Sequence, residues 1–329
     1  MSFKKIIKIF DITADCRRYS LGFWQCPNSL FLVMGGIIIV AMILTYWIGI
    51  QFIEPELIIA VVSVVTIILL VIGHSLVGSF SRIAEANKMK SEFVSIVSHQ
   101  LRTPLSALKW SVNLLKGKRL GELNKKQEEY VDIVSDSAVK MVRLVNDLLS
   151  VNRIEQGKLA MQMEFFSIED LILDVVKGLQ ILAKMKNVEL VFKNHKNLPL
   201  VYADKEKIRM VVQNLIDNAI KYSKQKGGFV EISANTDVNS KLIKVSVKDN
   251  GIGIPEIIQK RIFGKFFRGD NLVKQKVEGT GLGLFIAKGI ITICGGKIGF
   301  TSKPDKGSNF WFTLPINIKK INKKAMEKK

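Results

Sequence analysis

The sequence predicts three parts in series: a hairpin of two transmembrane helices, an α-helical hairpin that dimerises into a four-helix bundle, and an α/β sandwich. Three observations lead there. Of 329 residues 48% are hydrophobic while 24% are charged, which requires the apolar residues to be concentrated in places. Two runs, Leu30 to Ile50 and Leu57 to Phe80, contain no Asp, Glu, Lys or Arg. Beyond them, a helical pattern with a coiled-coil-like seam gives way near Met161 to strands and helices in mixed order.

Each apolar run reaches the roughly 20 residues that carry a helix across a bilayer core. The first begins too deep and is too long for a cleaved leader. Two such runs back to back also argue against one buried helix of a soluble core. Lys4, Lys5, Lys8, Arg17 and Arg18 precede the first run, and Arg82, Lys88 and Lys90 follow the second. The link Gln51 to Glu56 carries only the acids Glu54 and Glu56. The positive-inside rule therefore predicts a multi-pass protein of the cell membrane with both termini cytoplasmic and almost nothing outside.

Phe3 to Phe10 mixes Ile and Phe with Lys, as an interfacial stretch does. The formal charge of +20 suits an anionic membrane lipid surface, to which the tail from Lys319 to Lys329 adds. No basic stripe interleaved with aromatics points to nucleic acid. Cys16, Cys26 and Cys294 are isolated, without metal-ligand spacing or a disulfide pattern. The expected parts are an N-terminal segment 1–29, a membrane unit 30–80, a helical hairpin 81–158, a sandwich domain 159–317 and a basic tail 318–329.

In the hairpin, helices are expected from about Ser81 to Lys116 and, after the breakers Gly117 and Gly121 and a cap at Asn124, to about Gln156. Val134, Ala138, Met141, Val145 and Leu148 step by four and three, a seam that two copies bury together. The sandwich reads as a helix over Ile168 to Met185, a strand over Val188 to Phe192 and a short one near Leu200. A helix follows over Lys205 to Tyr222, then a strand pair at Phe229 to Ala234 and Leu242 to Val247. After the Gly-rich stretch Asn250 to Thr280 comes a helix to about Ile293, then strands at Lys297 to Thr301 and Asn309 to Leu314. Neighbouring strands read as antiparallel.

Four motifs carry chemistry. Ser98-His99-Gln100-Leu101-Arg102-Thr103-Pro104-Leu105 sets an imidazole, nucleophilic near neutral pH, on the first helix of the hairpin. Pro104 cannot donate to the Gln100 carbonyl, so a bend just past His99 is expected to expose the ring. Asn214, Asn218, Lys221 and Tyr222 share one helix face, opposite Val211, Leu215 and Ala219. Amide oxygens there suit Mg²⁺, and the ammonium suits phosphate. Asp249-Asn250-Gly251-Ile252-Gly253 follows a strand, placing a carboxylate within reach of an amino group beside a sharp turn. Gly279-Thr280-Gly281-Leu282-Gly283-Leu284 leads into a helix and aims backbone N–H groups at phosphate. Between the last two lies Ile262-Phe263-Gly264-Lys265-Phe266-Phe267-Arg268.

In order and spacing these five elements resemble the phosphoacceptor box and nucleotide-binding boxes of the sensor histidine kinases, over about Arg82 to Ile316. The resemblance implies a Bergerat-type ATP site on the sandwich. Asp249 would read adenine with Gly251 and Gly253 beside it. Asn218 and Asn214 would bind Mg²⁺, with Lys221 on phosphate and Tyr222 beside it. Lys265 and Arg268 would sit in a mobile lid. Gly279, Thr280, Gly281, Leu282 and Gly283 would form the phosphate loop. His99 would accept the phosphoryl group from ATP and pass it to the receiver domain of a separate response regulator, the chain acting as a homodimer.

Two positions depart from the family pattern. Gln100 stands where an acid is common; its amide can orient an N–H but is no base near neutrality. Gly264 stands where the lid often has an acid. Thr103, four residues past His99, matches the position that in relatives orients water for dephosphorylating the regulator. Rival readings are a clamp ATPase on the same nucleotide fold, against which the His box argues, and a pseudokinase scaffold, supported by Gln100 alone. No receiver domain is expected after the sandwich, and little chain outside the membrane. Input is therefore expected within the membrane hairpin or from another membrane protein.

Overall fold

A computed structural model describes residues 27–51, 54–117, 121–193, 198–224, 226–237, 241–267 and 279–316. The basic tail, the interfacial stretch, Cys16, Cys26 and Arg268 lie outside the described residues. The chain forms two units, Met1–Gln100 and Leu101–Lys329.

In the first unit, helix α1 (Pro27–Gly49) is followed by the apolar start of helix α2 (Pro55–Lys116). Both are long and apolar enough to cross a membrane, and only 6% and 11% of their most apolar stretches are buried within the protein. A core helix of a water-soluble protein would hide that surface. Three hydroxyls there are satisfied inside the helix: Thr45, Ser63 and Thr66 each donate to the carbonyl four residues back at 2.7–2.8 Å. α2 continues without a break from this apolar stretch through the His box, and Pro104 lies inside it without ending it.

In the second unit the end of α2 pairs with α3 (Lys125–Glu155). Asn124 closes a capping box with Gln127, each side chain accepting from the other's backbone N–H at 2.9 Å. Arg102 reaches Asn146 at 3.3 Å and Lys116 pairs with Asp132 at 2.5 Å. These contacts are fourteen positions apart on both helices, as an antiparallel pair requires. Ala138 and Val145 of the expected seam are buried, but Val134 and Met141 are exposed within one chain.

The sandwich starts with strand β1 (Met163–Phe166), which the sequence reading missed. Helix α4 (Ile168–Met185), strands β2 (Val188–Lys193) and β3 (Val201–Asp204), and helix α5 (Lys205–Tyr222) follow. Strands β4 (Gly228–Asp237) and β5 (Leu242–Asp249), a single-turn helix α6 (Glu256–Gln259), helix α7 (Gly283–Ile293), and strands β6 (Ile298–Lys303) and β7 (Gly307–Pro315) complete it. β1 pairs with β3; the main sheet runs β2-β4-β5-β7-β6. One pairing is parallel, β2 with β4, because β3 and α5 form a crossover between them; the other pairs are antiparallel as expected.

Helices α4, α5 and α7 cover one face. Ile168, Leu171, Ile172, Ile208, Leu215, Ile216, Ile286 and Ile290 are fully buried against Ile232, Ile243 and Phe312 of the sheet. On α5 the apolar side takes Val211, Leu215 and Ala219 inward, as the spacing predicts. That leaves Asn214, Asn218, Lys221 and Tyr222 on its polar side.

Candidate functional site

His99 and Gln100 are exposed on α2, as is Thr103 in the following turn. Neither His99 nor Gln100 makes a side-chain hydrogen bond among the described residues. The imidazole is therefore presented to solvent.

The sandwich gathers the remaining motifs around the polar side of α5. This helix starts where it does because Asp204 accepts from the Lys207 N–H at 3.0 Å. Asn214, Asn218, Lys221 and Tyr222 are half-buried along it. Lys221 is not free: its ammonium is 2.7 Å from Asp217, one turn back. Asn214 Nδ2 donates to the Gly283 carbonyl at 3.4 Å, joining α5 to the first turn of α7.

Asp249 ends β5, buried. Its Oδ1 accepts from the N–H groups of Gly251 at 2.8 Å and Ser308 at 3.2 Å, and Oδ2 takes part in neither bond. Burial raises its pKa above the usual carboxylate value, and the two backbone donors oppose that rise. The turn after it is wedged under α5. A Cβ on Gly251 would collide with the Tyr222 carbonyl oxygen, so only glycine permits the approach. Asn250, absent from the expected set, holds the same turn by accepting from Phe229 N–H at 2.9 Å and donating to the Gly227 carbonyl at 2.8 Å.

The glycine-rich loop Gly279-Thr280-Gly281-Leu282 runs into α7, whose start carries no side-chain cap. Gly279 is open, while Gly281 (φ +70°) lets the loop pass close to the backbone of Phe266 and Phe267. Leu282 is fully buried. The Thr280 hydroxyl accepts from Leu282 N–H and donates to Asp147 of α3, both at 3.3 Å. Asp147 has its pKa raised by burial, with the Thr280 bond and the Arg143 charge opposing.

In the lid, Phe263 packs edge-on against Phe300 at 6.0 Å between ring centres. The Lys265 ammonium is ion-paired with Glu155 of α3. Asp147 and Glu155 were not singled out in the sequence, because no local signal ties positions more than a hundred residues apart.

Two family models match the chain. One is the His Kinase A (phospho-acceptor) domain, over residues 89–157. The other is the histidine kinase-, DNA gyrase B- and HSP90-like ATPase, over 203–318. The chain is 34% identical over 236 residues to the sensor protein GacS of Pseudomonas syringae pv. syringae, covering 70% of this chain and 26% of that protein. It is 34% identical over 240 residues to the sensor histidine kinase WalK of Bacillus subtilis, covering 71% and 38%. The signal transduction histidine-protein kinase BarA of Escherichia coli K12 is 32% identical over 239 residues, covering 72% and 26%. The chain thus spans about a quarter to two fifths of the length of these relatives. Among solved structures, full-length ShkA in complex with AMPPNP is similar, with a TM-score of 0.59 at 28% identity, covering 68% of this chain and 45% of that one. A phosphoacceptor hairpin followed by this nucleotide fold separates the chain from clamp ATPases: it belongs to the sensor histidine kinase family.

Proposed function

We propose that this chain is a membrane-anchored kinase that moves the γ-phosphoryl group of ATP to His99 and then to an aspartate on a separate response regulator. One observation carries the reading. A single chain joins an exposed imidazole on a phosphoacceptor helix to a nucleotide fold whose buried Asp249 keeps Oδ2 outside its two backbone bonds. That oxygen is the acceptor an adenine amino group needs.

In the transfer, the bond from the γ-phosphorus to the β,γ-bridging oxygen breaks, a P–N bond forms at the imidazole, and ADP leaves with the electron pair. Such transfer depends on positioning and charge stabilisation. Asn214 and Asn218 fit Mg²⁺ in donor type. Their amide oxygens are hard and uncharged, and the Asn214 bond to Gly283 is made through nitrogen, leaving its oxygen to a ligand. Bound there, the ion would neutralise phosphate charge. The uncapped start of α7 supplies further positive potential, and Lys221 could add a donor to phosphate by exchanging its carboxylate partner Asp217. The AMPPNP held by ShkA supports an adenine nucleotide as the ligand.

The exposed Val134 and Met141 support a homodimer that covers them. Thr103, exposed one turn beyond the phosphoacceptor, supports a second activity, hydrolysis of the regulator's phosphoryl group. The charge flanking α1 and the apolar part of α2 supports a multi-pass topology with the catalytic unit cytoplasmic and its basic segments on anionic lipid. Parts 1–29, 30–80, 81–158, 159–317 and 318–329 remain our domain assignment.

The test is binding of a non-hydrolysable ATP analogue to the full chain and to Asp249→Ala. Affinity should fall tenfold or more, on the scale of a lost hydrogen bond to a charged group, about 1.5–3 kcal/mol. Equal affinity contradicts the adenine contact.

A further inference from the structure

Two side chains that the sequence assigns to phosphate are engaged with carboxylates of the dimerisation helix instead. Lys265 of the lid pairs with Glu155, and Thr280 of the phosphate loop donates to Asp147 at 3.3 Å. Between those two acids on α3, Val151 is buried in the sandwich core and Ile154 packs on it. The seat is close: a Cβ on Gly289 of α7 would lie 2.7–2.8 Å from Ile154.

We propose that Glu155 and Asp147 stand in for the nucleotide's phosphates, so that nucleotide binding and the seating of the sandwich on α3 compete for Lys265 and Thr280. This inference rests on the nucleotide site argued above. It goes beyond that site by naming a coupling between it and the last turns of α3.

The chemistry of the four groups makes the competition direct. A lysine ammonium has three donors but one charge, and it cannot neutralise a carboxylate and a polyphosphate together. When phosphate draws Lys265 and Thr280 away, Glu155 loses its cation and Asp147 loses its hydroxyl donor. Both acids then face an added anion. Asp147 is the more exposed to that change, since it is half-buried and its carboxylate is already poorly hydrated. The apolar contact of Val151 and Ile154 remains, so the sandwich is loosened rather than expelled. Coupling is reciprocal: the factor by which the seated sandwich weakens nucleotide binding is the factor by which bound nucleotide weakens the seat.

The experiment is a double-mutant cycle on the full chain in lipid nanodiscs, reading affinity for a non-hydrolysable ATP analogue. Glu155→Gln should raise affinity by about two- to fivefold, the scale of a partly exposed ion pair. Asp147→Asn should add to that rise. In a Lys265→Gln background the effect of Glu155→Gln should vanish. Hydrogen exchange over residues 147–157 supplies a second readout and should speed up when the analogue binds. Affinity indifferent to Glu155, or raised equally with and without Lys265, overturns the inference while leaving the nucleotide site standing. Failure of the wild type and every variant to bind the analogue overturns both.

Discussion

Asn214 Nδ2 donates to the Gly283 carbonyl at 3.4 Å, and a Cβ on Gly283 would come within 3.1 Å of the same carboxamide. The helix proposed to offer oxygen to a metal and the helix proposed to offer N–H groups to phosphate are therefore fixed to each other through one side chain. A glycine that looks like mere loop flexibility in the sequence is a packing requirement at this contact.

Gly283→Ala should push the Asn214 carboxamide aside and lower nucleotide affinity, while far-ultraviolet circular dichroism stays unchanged. Asn218→Ala should leave the fold intact too, because this side chain makes no hydrogen bond among the described residues, yet it should remove Mg²⁺-dependent labelling. Labelling of Asn218→Ala with unchanged dependence on Mg²⁺ would show that the ion is held elsewhere.

Asp249→Asn should separate binding from stability. Burial raises the Asp249 pKa, so the fold favours the protonated form. A raised carboxylate contributes stability that is fully present below its unfolded pKa of about 4 and is lost as pH rises through the folded value. In its ionised form the group is thus a liability to the fold but, on the proposed reading, the acceptor for the adenine amino group. Asn keeps the neutral form at all pH values. The melting temperature at pH 7 should hold or rise while analogue affinity falls tenfold or more. In the wild type, affinity should weaken on acidification earlier than an unshifted Asp would allow. A parallel fall in melting temperature and affinity for Asp249→Asn would contradict this division.

Much of this was legible in the sequence where local chemistry decides the outcome. Helices Ile168–Met185 and Lys205–Tyr222 appear with the expected bounds because Ser167 and Asp204 cap them and an apolar stripe runs their length. The Asn124 cap was readable for the same reason. Strand Met163–Phe166 was not, since four residues give too short an alternation to recognise. The parallel pairing of Val188–Lys193 with Gly228–Asp237 is set by the crossover, which no strand records in its own pattern. At the site, Asp249, Gly251 and Asn214 could be picked out by type and spacing. The partnership of Lys265 with Glu155 could not, because it exists only once the sandwich rests on the hairpin.

Gln100→Glu tests what the neighbour of the phosphoacceptor does. If it orients the imidazole by hydrogen bonding, glutamine already serves and single-turnover labelling should change by no more than a few-fold. If it must take the proton, labelling should accelerate toward the roughly 10²–10⁴-fold of general-base help. We expect the small change, because the other nucleotide-site groups are in place. A hundredfold rise would instead mark the natural chain as a weakened kinase.

The membrane topology has a separate test. A thiol reagent that cannot cross the bilayer should label Gln51→Cys in intact cells and should reach Tyr130→Cys only after lysis. The reverse pattern would overturn the orientation inferred from the basic flanks.

The central claim is that His99 takes the phosphoryl group. The direct measurement is incubation of the full chain with γ-labelled ATP and Mg²⁺ beside His99→Ala, followed by acid and alkali treatment of the label. The account predicts label on the natural chain alone, lost in acid and kept in alkali as a phosphoramidate is. Equal labelling of His99→Ala, or label that survives acid, would contradict it.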